Sequence, residues 1–486
     1  MPINAPPAAD YLRFLPEIIM TVAGTLIMVL EVLMPEDKPK SSLGHLSLVA
    51  FLIALWAAIN ANGIQGTAFT GMLIIDGYTT FFRALVIIVG ILSVLCAYQY
   101  LNREHANQGE YYALLLFSVV GQCVMVAANE LIMIFIGLEI SSIATYVLAG
   151  YLRDDKRNNE SALKYFLLGS FATAFLLYGI AWIYGITGHT NLGEIRAALP
   201  VMHPNPALVG TAAALMFVGF AFKVSAVPFQ VWAPDVYQGA PAPVTLFMSA
   251  GPKAAAFAAF VRVFNTALGP ITSRWEPFVW SSALATMFVG NFAALMQRNI
   301  KRLLAYSSIA HAGYIMVAIA ARNQIGIAAV MFYLAAYALM NIGAFAVVTY
   351  FSRQGEKYVE VDDLAGLGWK QPVVAALFCI FLLSLIGVPL TAGFLGKFYI
   401  FKAALDANLV WLAVLGLLNS AVGAYYYLRI IVVMYMREPG ESMATLPPPS
   451  AGVRTTLWLT ALGTLLLGIF PSVLLNFVTN SSNLVR

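Results

Sequence analysis

Apolar stretches of about 20 residues recur along the whole chain, separated by short polar segments. A stretch of this length can cross the hydrocarbon core of a bilayer as a helix. The pattern predicts fourteen transmembrane helices, and therefore an all-α polytopic membrane protein. The predicted spans are 14–34, 43–62, 78–101, 111–128, 131–152, 161–186, 208–232, 242–264, 277–297, 303–321, 325–351, 372–403, 409–436 and 454–478.

Composition supports this class and excludes others. The chain is 60% hydrophobic and 10% charged, and its net charge of +4 is spread over loops, so nothing suggests nucleic-acid binding. Cys96, Cys123 and Cys379 lie in apolar runs without CxxC or Cys/His spacing, so we expect buried thiols and no disulfide, metal or iron–sulfur site. No dinucleotide-binding, P-loop or HExxH motif occurs, so we expect no bound nucleotide, flavin or metal. The first ten residues carry no basic segment, so we expect no cleavable signal peptide.

Lysine and arginine are distributed unequally between alternate loops. Fourteen of them follow odd-numbered helices, beginning with Lys38 and Lys40, and four follow even-numbered helices. Loops rich in these residues remain in the cytoplasm. With an even number of spans, both termini are then predicted to face the periplasmic side.

The predicted helix 7 carries Lys223 far from either polar end, and Pro228 follows five residues later. Proline removes a backbone donor, so the helix must kink or break there. A lysine at this depth costs about 2.5–3.5 kcal/mol on insertion scales, and such a residue is by default a functional candidate. Lys223 is therefore a candidate proton carrier. The alternative is a side chain that extends to the membrane surface.

The predicted helix 12 is interrupted by Gly387 and Pro389, and Lys397 follows. Corresponding broken helices in two halves of a transporter indicate inverted repeats with ion sites between them. Residues 111–264 and 277–436 are therefore predicted to be two inverted five-helix repeats within one membrane domain, 1–486. Lys397 has apolar sequence neighbours, Phe394 and Phe398, and is predicted to be the outer end of a proton path.

Four further titratable residues lie inside predicted spans. Glu139 is a candidate partner that sets the proton affinity of a lysine, or else part of a structural ion pair. Lys253 follows a Gly–Pro kink and is either a proton carrier or a donor to carbonyls freed by that kink. Lys164 lies near a helix start, where it acts in transport or extends to the surface. His311 can shuttle protons, or is simply a hydrogen-bonded core residue.

Three arginines also lie inside predicted spans. Arginine keeps its charge and cannot release a proton in a transport cycle. We therefore interpret Arg83 and Arg429 as structural or field-setting residues. Arg262 lies near a helix end and is predicted to extend to the membrane surface.

Three stretches resemble a known family, the antiporter-like membrane subunits of respiratory complex I. They are KVSAVPFQVWAPDVYQGAPAPV at 223–244, LLAYSSIAHAGY at 303–314 and GFLGKF at 393–398. The PFQVWAPDVYQGAP segment and the lysine in the second broken helix are similar to subunit N. At the position of the PFQVWAPDVYQGAP segment, subunits L and M carry a histidine and a PDAHxxAP-like run. At the position of the helix 12 lysine, subunit M usually has a glutamate.

The resemblance implies a proton-translocating subunit of a bacterial NADH–quinone oxidoreductase. Glu139, Lys164, Lys223, Lys253 and Lys397 match the glutamate of helix 5 and the lysines of helices 6, 7, 8 and 12 in that family. It also implies no cofactor in this chain, because NADH, FMN, iron–sulfur clusters and quinone belong to partner subunits. The implied partners are other membrane subunits, including further antiporter-like ones, the lipid bilayer and, indirectly, the hydrophilic redox arm. The implied location is the bacterial inner membrane.

Two other functions compete with this interpretation. A subunit of an Mrp-type cation/proton antiporter would share the fold family. A solute permease would need a substrate-sized cavity with its own recognition groups. The buried titratable residues are single and in line, which favours proton transport over a permease.

Overall fold

The computed structural model describes residues 6–35, 40–444 and 446–484, and these residues are mostly helical. Lys38, used above for orientation, lies outside them. The helices of the first half are α1 (Ala8–Arg13), α2 (Leu15–Val32), α3 (Ser41–Asn60), α4 (Gly77–Arg103), α5 (Gly109–Ala127), α6 (Leu131–Ala149), α7 (Lys156–Thr187), α8 (Leu192–Met202), α9 (Pro206–Val224), α10 (Trp232–Gly239) and α11 (Ala242–Arg262). Those of the second half are α12 (Thr272–Leu295), α13 (Ile300–Ala320), α14 (Gln324–Phe351), α15 (Leu367–Lys370), α16 (Pro372–Ile386), α17 (Ala392–Asp406), α18 (Val410–Met436), α19 (Glu441–Ala444), α20 (Ala451–Ile469) and α21 (Ser472–Ser481).

Thirteen helical segments in the described part of the chain are long and apolar enough to cross a membrane. They correspond to all the predicted spans except 372–403, which is divided into the shorter helices α16 and α17. The prediction of an all-α polytopic protein is therefore confirmed. The division into two repeats, 111–264 and 277–436, stays a prediction. Cys96 and Cys123 are buried as expected, whereas Cys379 is only partly buried because part of α16 faces outward.

Both predicted helix breaks are present, and each begins with a left-handed residue. α9 ends at Val224, and Ser225 has φ 63° before the chain turns into α10. The indole of Trp232 donates to the carbonyl oxygen of Phe222 at 2.8 Å, which satisfies a group freed by the break. α16 ends at Ile386, and Gly387 has φ 95°, a conformation that glycine adopts without steric cost. Irregular backbone thus interrupts the helices at these two places, and each break is partly exposed, for example at Pro228 and Leu390.

The structure also contains elements that apolar windows did not predict. β1 (Gly66–Ala68) and β2 (Leu73–Ile75) form an antiparallel hairpin between α3 and α4. The guanidinium of Arg13, at the end of α1, donates to the carbonyl oxygen of Thr67 at 2.8 Å and so ties this hairpin to the N-terminal segment. α8 occupies the predicted loop 188–207, and the predicted span 454–478 is divided at Pro471 into α20 and α21.

Two of the intramembrane arginines form buried ion pairs. Arg83 lies 2.7 Å from Glu17, and neither side chain is exposed, so Arg83 has the structural environment that was predicted for it. The prediction that Arg262 extends to the surface was wrong. Its side chain is 3% exposed and donates to both carboxylate oxygens of Asp76 at 3.1 Å. The carboxylate of Asp76, at the start of α4, thus holds the Arg262 side chain inside the protein. Its position near a helix end had suggested that the side chain would extend to the membrane surface.

Candidate functional site

The ammonium group of Lys223 lies between α9 and α6, beside the first helix break. It donates to the Ser142 hydroxyl at 2.7 Å and to the Tyr146 hydroxyl at 3.1 Å. It also lies 5.1 Å from the centre of the Tyr146 ring and 5.7 Å from that of Tyr165. The side chain therefore points to a neighbouring helix, and the alternative of extension to the membrane surface does not hold.

Glu139 lies on the same helix as Ser142, one turn earlier, but it forms no direct ion pair with Lys223 within the described ranges. One of its carboxylate oxygens is buried without a hydrogen-bond partner in this part of the chain. Residues three apart on a helix share a face, so the carboxylate of Glu139 and the Ser142 hydroxyl that binds Lys223 lie on the same side of α6. Glu139 forms no ion pair within the described residues, so the alternative of a structural ion pair does not hold, and its role in setting the proton affinity of a lysine stays a prediction.

Lys253 is 2% exposed and its ammonium group is bound by Ser308 of α13. It donates to the carbonyl oxygen of Ser308 at 3.1 Å and also to its hydroxyl. These bonds run from α11 to another helix. In the described residues, Lys253 therefore does not donate to carbonyl oxygens at the Gly251–Pro252 kink, as the alternative interpretation proposed.

His311 follows Ser308 by one turn of α13, so the two side chains share a helix face. The ring is 2% exposed. Its Nδ1 lies 2.5 Å from the hydroxyl of Tyr333, and its Nε2 lies 3.0 Å from the hydroxyl of Tyr427. The Tyr427 hydroxyl is also hydrogen-bonded to Ser307. A neutral imidazole has one donor and one acceptor nitrogen, so the two tyrosine hydroxyls take opposite roles. Exchange of the two tautomers would move a proton across the ring.

Lys397 lies on α17, beyond the second helix break. Its ammonium group donates to the carbonyl oxygens of Leu385 and Ile386 at 3.0 and 2.8 Å. These belong to the last turn of α16, where carbonyls lack helical partners and a cation is favoured. A third bond goes to the Ser420 hydroxyl at 2.8 Å, and the ring of Tyr314 lies 4.9 Å away. Beside this polar shell is a largely apolar cavity of about 620 Å³. The expectation of an apolar neighbourhood is thus correct for one side of Lys397 only.

Lys164 lies apart from these residues, at the beginning of α7. It pairs with Glu160 at 2.7 Å and with Asp235 at 2.9 Å, beside a polar cavity of about 400 Å³. Arg302 pairs with the other oxygen of Asp235 at 2.5 Å. Partial burial would raise the pKa of Asp235, but its hydrogen bonds from Arg302 and Lys164 outweigh that effect and hold the pKa below its ordinary value. On the predicted topology, this cluster of ion pairs lies at the cytoplasmic side of the membrane.

The structure thus adds hydroxyl groups to the lysines that sequence reasoning selected. Ser142, Ser308 and Ser420 bind Lys223, Lys253 and Lys397 respectively, and Tyr333 and Tyr427 bind His311. Serines near His311 were visible as candidates in the sequence. The other partners come from different helices, 22 residues away for Tyr333 and 116 for Tyr427, and only the tyrosine run at 425–427 offered a local signal.

The chain belongs to a class of ion-translocating membrane subunits. Residues 128–423 match the family model described as "NADH:quinone oxidoreductase/Mrp antiporter, TM". The fold is also similar to that of a chain of the Mrp complex from Dietzia sp. DQ12-45-1b, with a TM-score of 0.86 at 20% identity over 98% of this chain and 97% of that one. At that identity the likeness shows the fold alone.

More similar relatives identify one family within this class. The chain is 63% identical to NADH-quinone oxidoreductase subunit N 1 of Solibacter usitatus over 473 aligned residues, and the alignment covers 97% of each chain. It is 34% identical to a chain of respiratory complex I from Thermus thermophilus, with a TM-score of 0.81, covering 95% of this chain and 98% of that one. The chain therefore belongs to the subunit N family of NADH-quinone oxidoreductases, and the resemblance found in the sequence is confirmed.

Proposed function

We propose that this chain translocates protons across the membrane as subunit N of an NADH–quinone oxidoreductase, with Lys223, Lys253, His311 and Lys397 as the carrying groups. The observation that supports the proposal is the way the three lysines are held. Each ammonium group lies between helices and is bound by hydroxyl or carbonyl oxygens, and none has a carboxylate within ion-pair distance in the described residues. A lysine without a bound carboxylate can lose its proton without leaving an unpaired anion behind.

The arrangement divides the work among the four groups. Lys223 and Lys397 lie beside the two helix breaks, where irregular backbone can line a path for water. Lys253 is bound by Ser308, which shares a helix face with His311. Glu139, one turn from the serine that binds Lys223, would change the charge balance at that lysine without touching it. Lys164 would act at the cytoplasmic entrance of the proposed proton path, where it is paired with Asp235.

The same proposal covers the assembly around the chain. NADH, FMN, iron–sulfur clusters and quinone would be bound by partner subunits, and this chain would contribute no redox centre. Its direct partners would be other membrane subunits, including further antiporter-like ones. The location would be the bacterial inner membrane with both termini on the periplasmic side, as the loop charges indicate. Reporter tags on either terminus should be accessible from the periplasm, and cytoplasmic tags would contradict this topology.

The deciding experiment is purification of the chain from native membranes with a tag, followed by reconstitution into vesicles. We expect it to copurify with NADH-oxidising subunits, and NADH with a quinone should drive proton movement. Isolation in a complex that lacks NADH oxidation but exchanges Na⁺ for protons would overturn the proposal in favour of an Mrp-type antiporter.

A further inference from the structure

The ammonium group of Lys397 is held from two helices besides the broken pair. Ser420, on α18, accepts a hydrogen bond from it at 2.8 Å. Tyr314, on α13, presents its ring face at 4.9 Å, a distance at which a cation is attracted by the ring. The position of Lys397 therefore depends on how α13 and α18 are held relative to each other.

Asn291 joins these two helices from a third, α12. It is 1% exposed, and its amide nitrogen donates to the Tyr314 hydroxyl at 2.9 Å and to the carbonyl oxygen of Asn419 at 3.2 Å. The same nitrogen is bonded to the side-chain oxygen of Asn419. The amide oxygen of Asn291 accepts from the Tyr426 hydroxyl at 2.9 Å. Both ends of one buried amide are thus occupied, which defines its orientation.

The partners of Asn291 are the neighbours of the groups that hold Lys397. Tyr314 contacts the lysine directly, and Asn419 immediately precedes Ser420 in the same helix. Close packing favours the arrangement, because a side chain at Gly423 would place its first carbon 3.1 Å from the amide oxygen of Asn291. Asn291 itself does not contact Lys397 in the described hydrogen bonds.

We propose that Asn291 is a positioning residue for proton transfer at Lys397, which holds the Tyr314 ring and the Asn419–Ser420 turn around the ammonium group. The inference rests on the proposed role of Lys397. If the amide is removed, the ring and the hydroxyl are free to move away from the lysine. The helices still pack, but the lysine no longer keeps its partners at the distances needed for exchange.

The test uses the whole complex in vesicles and compares Asn291→Leu with the natural chain. We expect NADH-driven proton translocation to slow by roughly two- to thirtyfold, the range that corresponds to the loss of one cation–π contact. NADH oxidation by a water-soluble acceptor, which does not need the membrane subunits, should be unchanged. Thr460→Val is the matched control, because among the described residues this buried hydroxyl bonds only to carbonyls of its own helix, and it should translocate normally.

A double variant separates positioning from general packing. Asn291→Leu combined with Lys397→Arg should translocate protons no more slowly than Lys397→Arg alone, because both changes affect one step. A further loss in the double variant would mean that Asn291 acts elsewhere. If Asn291→Leu prevents assembly, Tyr314→Phe takes its place, since it keeps the ring beside Lys397 and removes the hydroxyl that is bonded to Asn291 and that also contacts Ser420. Normal translocation by an assembled Asn291→Leu or Tyr314→Phe complex would overturn the inference, whereas normal translocation by Lys397→Arg would overturn the role of Lys397 itself.

Discussion

Replacement of Lys397 separates its structural role from its role in transport. In the natural chain its ammonium group satisfies the carbonyl oxygens of Leu385 and Ile386 at 3.0 and 2.8 Å. Lys397→Ala would leave both carbonyls without a partner. A buried polar group that loses its partner costs about 1–3 kcal/mol, so the expected destabilisation is about 2–6 kcal/mol for the two.

Lys397→Arg should behave differently. A guanidinium has several donors and keeps its charge, so it can still satisfy both carbonyl oxygens. The neighbouring cavity of about 620 Å³ leaves room for the larger group. Arginine does not release its proton in proteins, so a chain with Lys397→Arg should assemble with nearly natural stability and pump poorly. Lys397→Glu can still titrate and is expected to keep part of the activity.

The assay measures two quantities on the same purified complexes. Heat-induced dissociation of this chain from the complex reports stability, and NADH-driven acidification of vesicles reports transport. The expected order of stability is natural chain and Lys397→Arg above Lys397→Ala, with transport strongly reduced but still measurable in both variants. Full transport by the arginine variant would show that Lys397 supplies only a fixed charge. An alanine variant as stable as the natural chain would refute the role of its hydrogen bonds in closing the helix break.

Four further outcomes follow from the other sites. Lys223→Ala should strongly reduce coupled quinone reduction and proton pumping in an assembled complex, and normal turnover would exclude it as a carrier. Glu139→Gln should impair pumping more than Glu139→Asp, because only the aspartate retains the charge; the reverse order would show that shape matters instead. Lys253→Met should slow coupled turnover while the chain stays assembled, as checked by native gel electrophoresis, and unchanged turnover would remove it from the path. The pKa of Asp235 is lowered in the folded state, so its stabilising contribution is fully present above its unfolded pKa of about 3.9 and is lost as pH falls from that value through the folded pKa. Heat-induced dissociation of Asp235→Asn should therefore differ from that of the natural chain by a small amount at pH 7, less than about 1 kcal/mol, and this difference should shrink as pH falls below about 3.9.

Hydrophobic spacing was sufficient to predict the spans, because a helix in a bilayer must satisfy its own backbone and present apolar side chains over about 20 residues. Proline and glycine were sufficient to locate the two breaks, since each disrupts helical backbone locally. The same method missed α8 and the hairpin at 66–75, which are too short or too polar to appear in such windows. It also treated 454–478 as continuous, although Pro471 divides it.

Charged residues in apolar sequence could be selected without a structure, because their burial carries a large cost unless they have partners or a function. The partners of these charged residues could not be identified from the sequence. Arg262 was assigned to the membrane surface because of its place near a helix end, yet Asp76, 186 residues away in sequence, holds it inside. Glu139 was selected as a partner of a lysine, but the sequence did not reveal that Ser142 and Tyr146, 81 and 77 residues away, bind the ammonium group of Lys223.

By itself, the sequence determined that this protein is a polytopic helical membrane subunit, with two broken helices and a small set of buried lysines, and it pointed to the family. These properties depend on residues near one another in the chain. The tertiary structure alone decided which oxygen atoms bind each lysine. Ser308 binds Lys253 from 55 residues away, and Asn291 reaches Asn419 across 128. Hydrogen bonds extend over about 3 Å, so they depend on how helices pack, and no pattern along a single helix contains that information.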